Sequence, residues 1–335
     1  MRTLFTLAPA VCLAATALAQ GPQPAKELAP YKALVGHWEG SGTVNPGPGM
    51  TLEWTATIDF QPILGGHFYQ EDLNVDLGED MPPYQARTIH GWDSEGGRYI
   101  QFGIDSDGSG VLSEMHWAGH VLVGSRTMVD EMSGQVMTTR NTAEVADGKW
   151  TIDMRRAVAG GDESAFVQGV MERTAERAQP IDASAVRAGG LSPDLADLRP
   201  LVGKWNVTGQ VRPPGMDPMD VTATETITPV FGGSALLSHV VGQPGDYQEF
   251  YLLWHDGGRI HHAAVNNMGH FLAAEGKVSG DNLVMVHSGT AYGEPIAERY
   301  VIEMADGALS KTTAHRFTGT GEAEVSFQAT YTRAE

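Results

Sequence analysis

LVGHWEGSG at residues 34–42 and LVGKWNVTG at residues 201–209 are near copies, 167 positions apart, and each stands ahead of a long run of alternating apolar and polar residues. Pro62-Ile63-Leu64-Gly65-Gly66 faces Pro229-Val230-Phe231-Gly232-Gly233 at the same offset. Gly96-Gly97-Arg98 answers Gly257-Gly258-Arg259, and Met171-Glu172-Arg173 answers Tyr331-Thr332-Arg333, the offset shrinking to 161 and then 160 through loop deletions in the second copy. The chain is a tandem duplication, with copies the size of one domain each. The first copy spans 26–177 and the second 192–335; residues 178–191, rich in Ala and Gly, read as the linker.

Within each copy the dominant period is two. Leu52, Trp54, Ala56, Ile58 and Phe60 alternate with Glu53, Thr55, Thr57 and Asp59, the pattern of a half-buried strand. Asp107-Gly108, Asp147-Gly148, Asp256-Gly257 and Asp306-Gly307 mark hairpin turns between such runs. About ten strands per copy are expected from this spacing, in an all-β, antiparallel, up-and-down barrel, because closure leaves no exposed edge. A short helix is expected before each barrel, over Lys26–Leu34 and after Ser192, which stands as N-cap with Pro193 at the first helical position.

The repeated Gly-x-Trp opens the first strand, with Trp38 in phase with Gly40 and Gly42, and Trp205 in phase with Val207 and Gly209. The last strands put Ala165, Val167, Gly169, Met171 and Arg173, and Val325, Phe327, Ala329, Tyr331 and Arg333, on one apolar phase. An arginine on an apolar phase is costly unless its guanidinium is received, and an indole face with backbone carbonyls receives it. Closing a barrel joins first and last strands, so Trp38 is expected to pair with Arg173 and Trp205 with Arg333, as structural closures.

Gly-x-Trp on the first strand with an arginine on the last resembles the lipocalin and calycin superfamily. The fuller pattern, LVGxW, a Gly-Gly turn after the second strand and a final Thr-Arg, resembles a bacterial lipocalin-like exported family of unknown function, here in two copies. That likeness implies small apolar ligands held inside a barrel. Nitrobindins, which hold haem in a similar barrel, share the GxWxG opening seen at Gly36–Gly40, but their haem-ligating histidine near the C-terminus has no match in FVQGVMERTAE or FQATYTRAE. No cofactor is therefore expected, with haem as the minor alternative.

Arg2, the apolar run Leu4–Leu18 and Ala17-Leu18-Ala19 read as a signal peptide over 1–19, implying export to the periplasm or beyond. The run is shorter than the ~20 residues that span a bilayer, so no membrane insertion is expected after cleavage. The single cysteine, Cys12, falls in the removed segment, which excludes disulfides, thiolate metal sites and cysteine nucleophiles. A formal charge of -19 argues against nucleic acid as a partner, since phosphate recognition needs clustered Lys and Arg.

Differences between the copies at inward positions are where function is expected. Ile58 aligns with Glu225, and Ile100, Phe102 and Ile104 align with His261, Ala263 and Val265. Glu225 and His261, with Tyr251 a third, are the expected lining of a roomier and more polar pocket in the second barrel. His255, His261, His262 and His270 are dense, yet His261 and His262 point to opposite strand faces, and no metal site is expected. Asp105-x-Asp107-x-Ser109 imitates the start of a calcium loop, but His116 stands where the bidentate Glu belongs, so a hairpin tip is expected. No nucleophile elbow is present. The expected function is binding or carriage of a small apolar or amphipathic molecule. The alternatives are an isomerase or hydrolase using the second barrel, and an envelope scaffold with filled barrels.

Overall fold

Alternation of period two becomes strand throughout the computed structural model, which describes residues 23–47, 49–79, 81–129, 134–158, 160–175, 190–213, 215–243, 246–291, 294–317 and 323–334. The expected signal peptide, Cys12 and residues 178–189 of the expected linker lie outside the described residues. The first copy supplies β1 (Gly36–Val44), β2 (Leu52–Ile63), β3 (Phe68–Asp76), β4 (Tyr84–Asp93) and β5 (Arg98–Asp105). It continues with β6 (Gly110–Ala118), β7 (Val121–Val129), β8 (Val136–Ala146), β9 (Lys149–Val158) and β10 (Ser164–Thr174). The second supplies β11 (Gly203–Val211), β12 (Met219–Val230), β13 (Ala235–Gln243), β14 (Tyr247–Asp256) and β15 (Arg259–Asn266). It ends with β16 (Phe271–Ser279), β17 (Asn282–Ala291), β18 (Glu294–Glu303), β19 (Lys311–Phe317) and β20 (Ala323–Arg333). Each set of ten closes into an antiparallel up-and-down barrel, β1 pairing with β10 and β11 with β20.

Both closures are built alike. Trp38 faces Arg173 across β1 and β10, and Trp205 faces Arg333 across β11 and β20. The guanidinium carbon lies 4.4 Å from the Trp38 ring centroid and 4.8 Å from that of Trp205. Arg173 also donates to the carbonyls of Ala33 and Val35, and Arg333 to that of Val202. Each indole N–H donates to a carbonyl four residues earlier, Leu34 at 2.8 Å and Leu201 at 2.9 Å. A Cβ at Gly36 would stand 2.6 Å from Arg173 Nη1, and one at Gly203 3.0 Å from Arg333 Nη1, which is why glycine precedes the motif.

The helices ahead of the barrels are 3-10, Lys26–Ala33 and Pro193–Leu201, each with an internal proline that removes an amide donor. Ser192 sits at the N-cap, but among the described residues its side chain makes no capping hydrogen bond. Leu28, Tyr31 and Leu34 plug one barrel end, and Leu195, Leu198 and Leu201 the other. β10 and β20 each carry a bulge, at Phe166 and Ser326, that rotates the preceding residues. Ala165 and Val325 thereby leave the apolar phase expected for them, and Val325 is exposed.

The barrels pack against each other through outer faces of β3–β5 and β13–β15. Phe68, Ile89, Ile100, Phe102 and Ile104 meet Ala235, Leu252, Trp254, Ala263 and Val265, with Leu64 and Phe231 from the Gly-Gly turns, in one buried apolar cluster. Ile100, Phe102 and Ile104 were expected inside the first barrel; register places them outside it, since their strand neighbours Tyr99, Gln101 and Gly103 pair with Trp92, His90 and Thr88 on the lumen phase. Their apolar character comes from the other barrel.

Replacing Arg173 by Met keeps the stem but removes the stacking charge and its carbonyl contacts, and is expected to cost about 1–2 kcal/mol in urea unfolding. At the interface, a Cβ on Gly110 would stand 1.9 Å from Trp254 Nε1. Gly110→Ala should lose about 1–3 kcal/mol by overpacking. Most of that loss should vanish in a Trp254→Ala background; strict additivity in the double-mutant cycle would contradict the contact.

Candidate functional site

The two lumens differ in what fills them. Five of the seven tryptophans, Trp38, Trp54, Trp92, Trp117 and Trp150, belong to the first barrel. Tyr31 from the 3-10 helix packs 5.4 Å from both Tyr69 and Trp117, and Trp38 meets Trp150 edge-on at 5.6 Å. Trp54 fills the space left by Gly42 and Gly169, where an added Cβ would come within 2.6 Å and 2.2 Å of its ring. The second copy has Val221 where the first has Trp54, Val278 for Trp117 and Ser310 for Trp150.

In the second barrel, Trp205, Ile227, Leu236, Leu253 and Leu283 form an apolar floor over the helix. A single cross-strand row then runs Trp205, Glu225, Val240, Glu249, Asn266, every member on the inward phase. Glu225, on β12, is 4% exposed. Its Oε1 accepts a hydrogen bond from Ser238 Oγ at 2.9 Å and another from the Tyr251 hydroxyl. Burial pushes its pKa up, against the pull of those two donors.

Glu249 accepts the Tyr247 hydroxyl on Oε2, and Tyr247 in turn accepts from Asn266 at 3.4 Å. Its pKa is pushed up to about 7 by burial, with the Glu225 charge adding to the shift and the Tyr247 hydrogen bond opposing it. His262, on β15, lies with its ring 4.9 Å from Tyr251. Burial, followed by the charge of His287, holds its pKa down to about 4, so it is a neutral imidazole at pH 7. Nearer the far end, Glu298 accepts from Tyr300 at 2.6 Å and from Arg316 Nε at 2.9 Å. Glu249, Tyr251, His262, His287, Tyr300 and Tyr331 face inward yet remain partly accessible, so water reaches the lumen above its floor.

Of the residues expected to line a pocket, Glu225 and Tyr251 are brought together by a direct hydrogen bond. His261 is not with them: the inward residue is its neighbour His262, which pairs with Leu253. His261 lies on the outer face, stacked on Trp254 at 5.4 Å and 3.7 Å from Glu275. Tyr247, Glu249, His262 and the Glu298–Arg316 pair were not expected. Tyr247, Glu249 and Tyr251 do alternate on one strand, but Phe250, Leu252 and Trp254 offer an equally apolar phase, so the sequence could not say which faced in.

Among the described residues, no group of three or more His, Cys, Asp or Glu is placed to hold a metal ion, and no helix is long and apolar enough to cross a membrane. In the calcium-like segment, the amides of Asp107 and Ser109 donate to Asp105 Oδ1 at 3.0 Å and 2.9 Å, which makes it a hairpin tip.

Residues 23–173, the first barrel, match the model of a family described as "Protein of unknown function (DUF1579)". No curated protein matches the sequence. Among solved structures, the chain is similar to Rv2717c from M. tuberculosis at 12% identity, with 45% of this chain and 99% of that one covered and a TM-score of 0.36. It is also similar to a protein of unknown function from the DUF3598 family of Nostoc punctiforme, at 11% identity, covering 92% of this chain and 100% of that one, with a TM-score of 0.26.

A raised carboxyl pKa means the folded state binds more protons than the unfolded chain between the ordinary glutamate value and about 7. Stability contributed by protonated Glu249 is therefore present at low pH and lost as pH rises through that window. Urea unfolding at pH 5 and pH 8 should show this loss, and Glu249→Gln should flatten it.

Proposed function

We propose that this protein is an exported carrier of a small apolar or amphipathic molecule, held in the second barrel as lipocalin-like barrels hold theirs. The supporting observation is the water-accessible belt of inward polar side chains around Glu225, set above an apolar floor. Pockets of this composition grip an apolar body and orient it through a few placed polar groups. The first barrel, filled by tryptophans, serves as the partner against which the second is braced. Two carboxyls with raised pKa in one row also suit general acid–base work, which keeps an isomerase as the second reading. No cofactor is required by either.

The neutral dye N-phenyl-1-naphthylamine tests the reading by its fluorescence. One equivalent should bind, and Ala264→Trp should abolish it by filling the wall opposite Tyr251. Dye binding unaffected by that substitution would count against the second barrel as the site. Mass spectrometry and an absorption spectrum of gently purified protein should reveal a bound organic molecule; a Soret band would point to haem instead.

A further inference from the structure

The carrier reading leaves the head group of the cargo open, and the charge balance of the lumen bears on it. Among the described residues, four carboxyls lie on the inward phase, Glu225, Glu249, Glu298 and, paired with Arg316, Glu324. Among the described residues, Arg316 is the sole Lys or Arg on the inward phase between the floor and the far end, and it is committed to Glu298, to Glu324 at 3.6 Å and to the Arg212 carbonyl at 3.2 Å. Among the described residues, neither Glu225 nor Glu249 has a basic partner.

Their hydrogen bonds are also one-sided. Both donors to Glu225 end on Oε1, and the Tyr247 donor to Glu249 ends on Oε2. Among the described residues, nothing donates to Glu225 Oε2 or Glu249 Oε1. The two residues flank Val240 in one row, on strands two apart, so their backbones are separated by ~10 Å; both face the lumen, Glu225 tied toward Tyr251 and Glu249 toward Tyr247. His262, without a hydrogen-bond partner among the described residues, faces the same lumen from the next strand, with the ring of Tyr251 4.9 Å from its own.

We propose that the cargo is a primary amine in its ammonium form, received between Glu225 Oε2 and Glu249 Oε1. This rests on the carrier reading and narrows its ligand class. An ammonium has three N–H donors and no acceptor, matching two open carboxyl oxygens and an imidazole acceptor. The phenol rings lining the lumen add their negative faces to the attraction. Burial pushes the pKa of both acids up in the absence of a cation; where a carboxyl carries a proton, that proton passes to solvent as the ammonium arrives and a charge-assisted N–H···O contact replaces it. The other charged or titratable groups of the lumen, His287 and Arg316 with its partners Glu298 and Glu324, bring no free positive charge against it, and Tyr300 and Tyr331 are held above their usual range by burial.

Phenethylamine and 2-phenylethanol share a shape and differ in the head group, and calorimetric titration of the whole chain with each provides the test. The amine should bind at least tenfold more tightly than the alcohol at pH 8. Its affinity should rise from pH 6 to pH 8, because ionisation of the carboxyls favours a cation. Glu225→Gln and Glu249→Gln should each weaken the amine at least tenfold and leave the alcohol within twofold. Equal affinity for the alcohol, an amine affinity that falls with rising pH, or Gln variants that keep the amine would overturn the proposal. Should a Gln variant fail to fold, the pH dependence of the wild-type chain decides. Dye bound without amine would defeat the amine head group alone; a lumen that takes neither defeats the carrier reading with it.

Discussion

A guanidinium laid on an indole holds each barrel shut. The tryptophan ties its own N–H to the preceding helix, the arginine reaches the carbonyls beside that helix, and the pair lies where the first and last strands meet. Helix, opening strand and closing strand are thus joined at one point. Because strand side chains alternate faces, fixing the register at that point decides which residues look inward for the whole length of the strand. The composition of each lumen follows from it.

The duplicated frame then carries two different interiors. The first barrel stacks aromatic rings into its own space and accepts the packing that goes with it. The second keeps an apolar layer over its helix and leaves the rest to hydroxyl, carboxyl and imidazole groups. Buried carboxyls lacking a cation are unfavourable, and the strand that carries Glu249 and Tyr251 is held from behind, where Leu252 and Trp254 pack on the first barrel. β14 is therefore at once lumen wall and interdomain contact.

The sequence made the architecture legible because its signals were local: period two, Asp-Gly turns, and a repeated Gly-x-Trp and arginine. The site was only half legible. Glu225 stood out because its counterpart is Ile58 and its own strand has one clear apolar phase. On β14 and β15 both phases carry apolar residues, one for the lumen and one for the neighbouring barrel, and on β5 the apolar phase faces the neighbouring barrel while Tyr99, Gln101 and Gly103 face the lumen, so alternation could not tell inside from outside. Choosing Ile100, Phe102, Ile104 and His261 as inward followed from that ambiguity. The bulges at Phe166 and Ser326 had no sequence mark at all.

Leu64 and Phe231, Phe68 and Ala235, Ile89 and Leu252, Phe102 and Ala263, Ile104 and Val265 are counterparts in the two copies, and all ten lie in the patch between the barrels. Each half offers its neighbour the same surface that it is offered, the self-complementary geometry of a twofold homodimer written into one polypeptide. A tether raises the effective concentration of such a contact to the millimolar range, so the pairing survives any dilution of the chain. Identity of the halves is no longer needed once they are linked, and one interior could fill with aromatic rings while the other took polar groups.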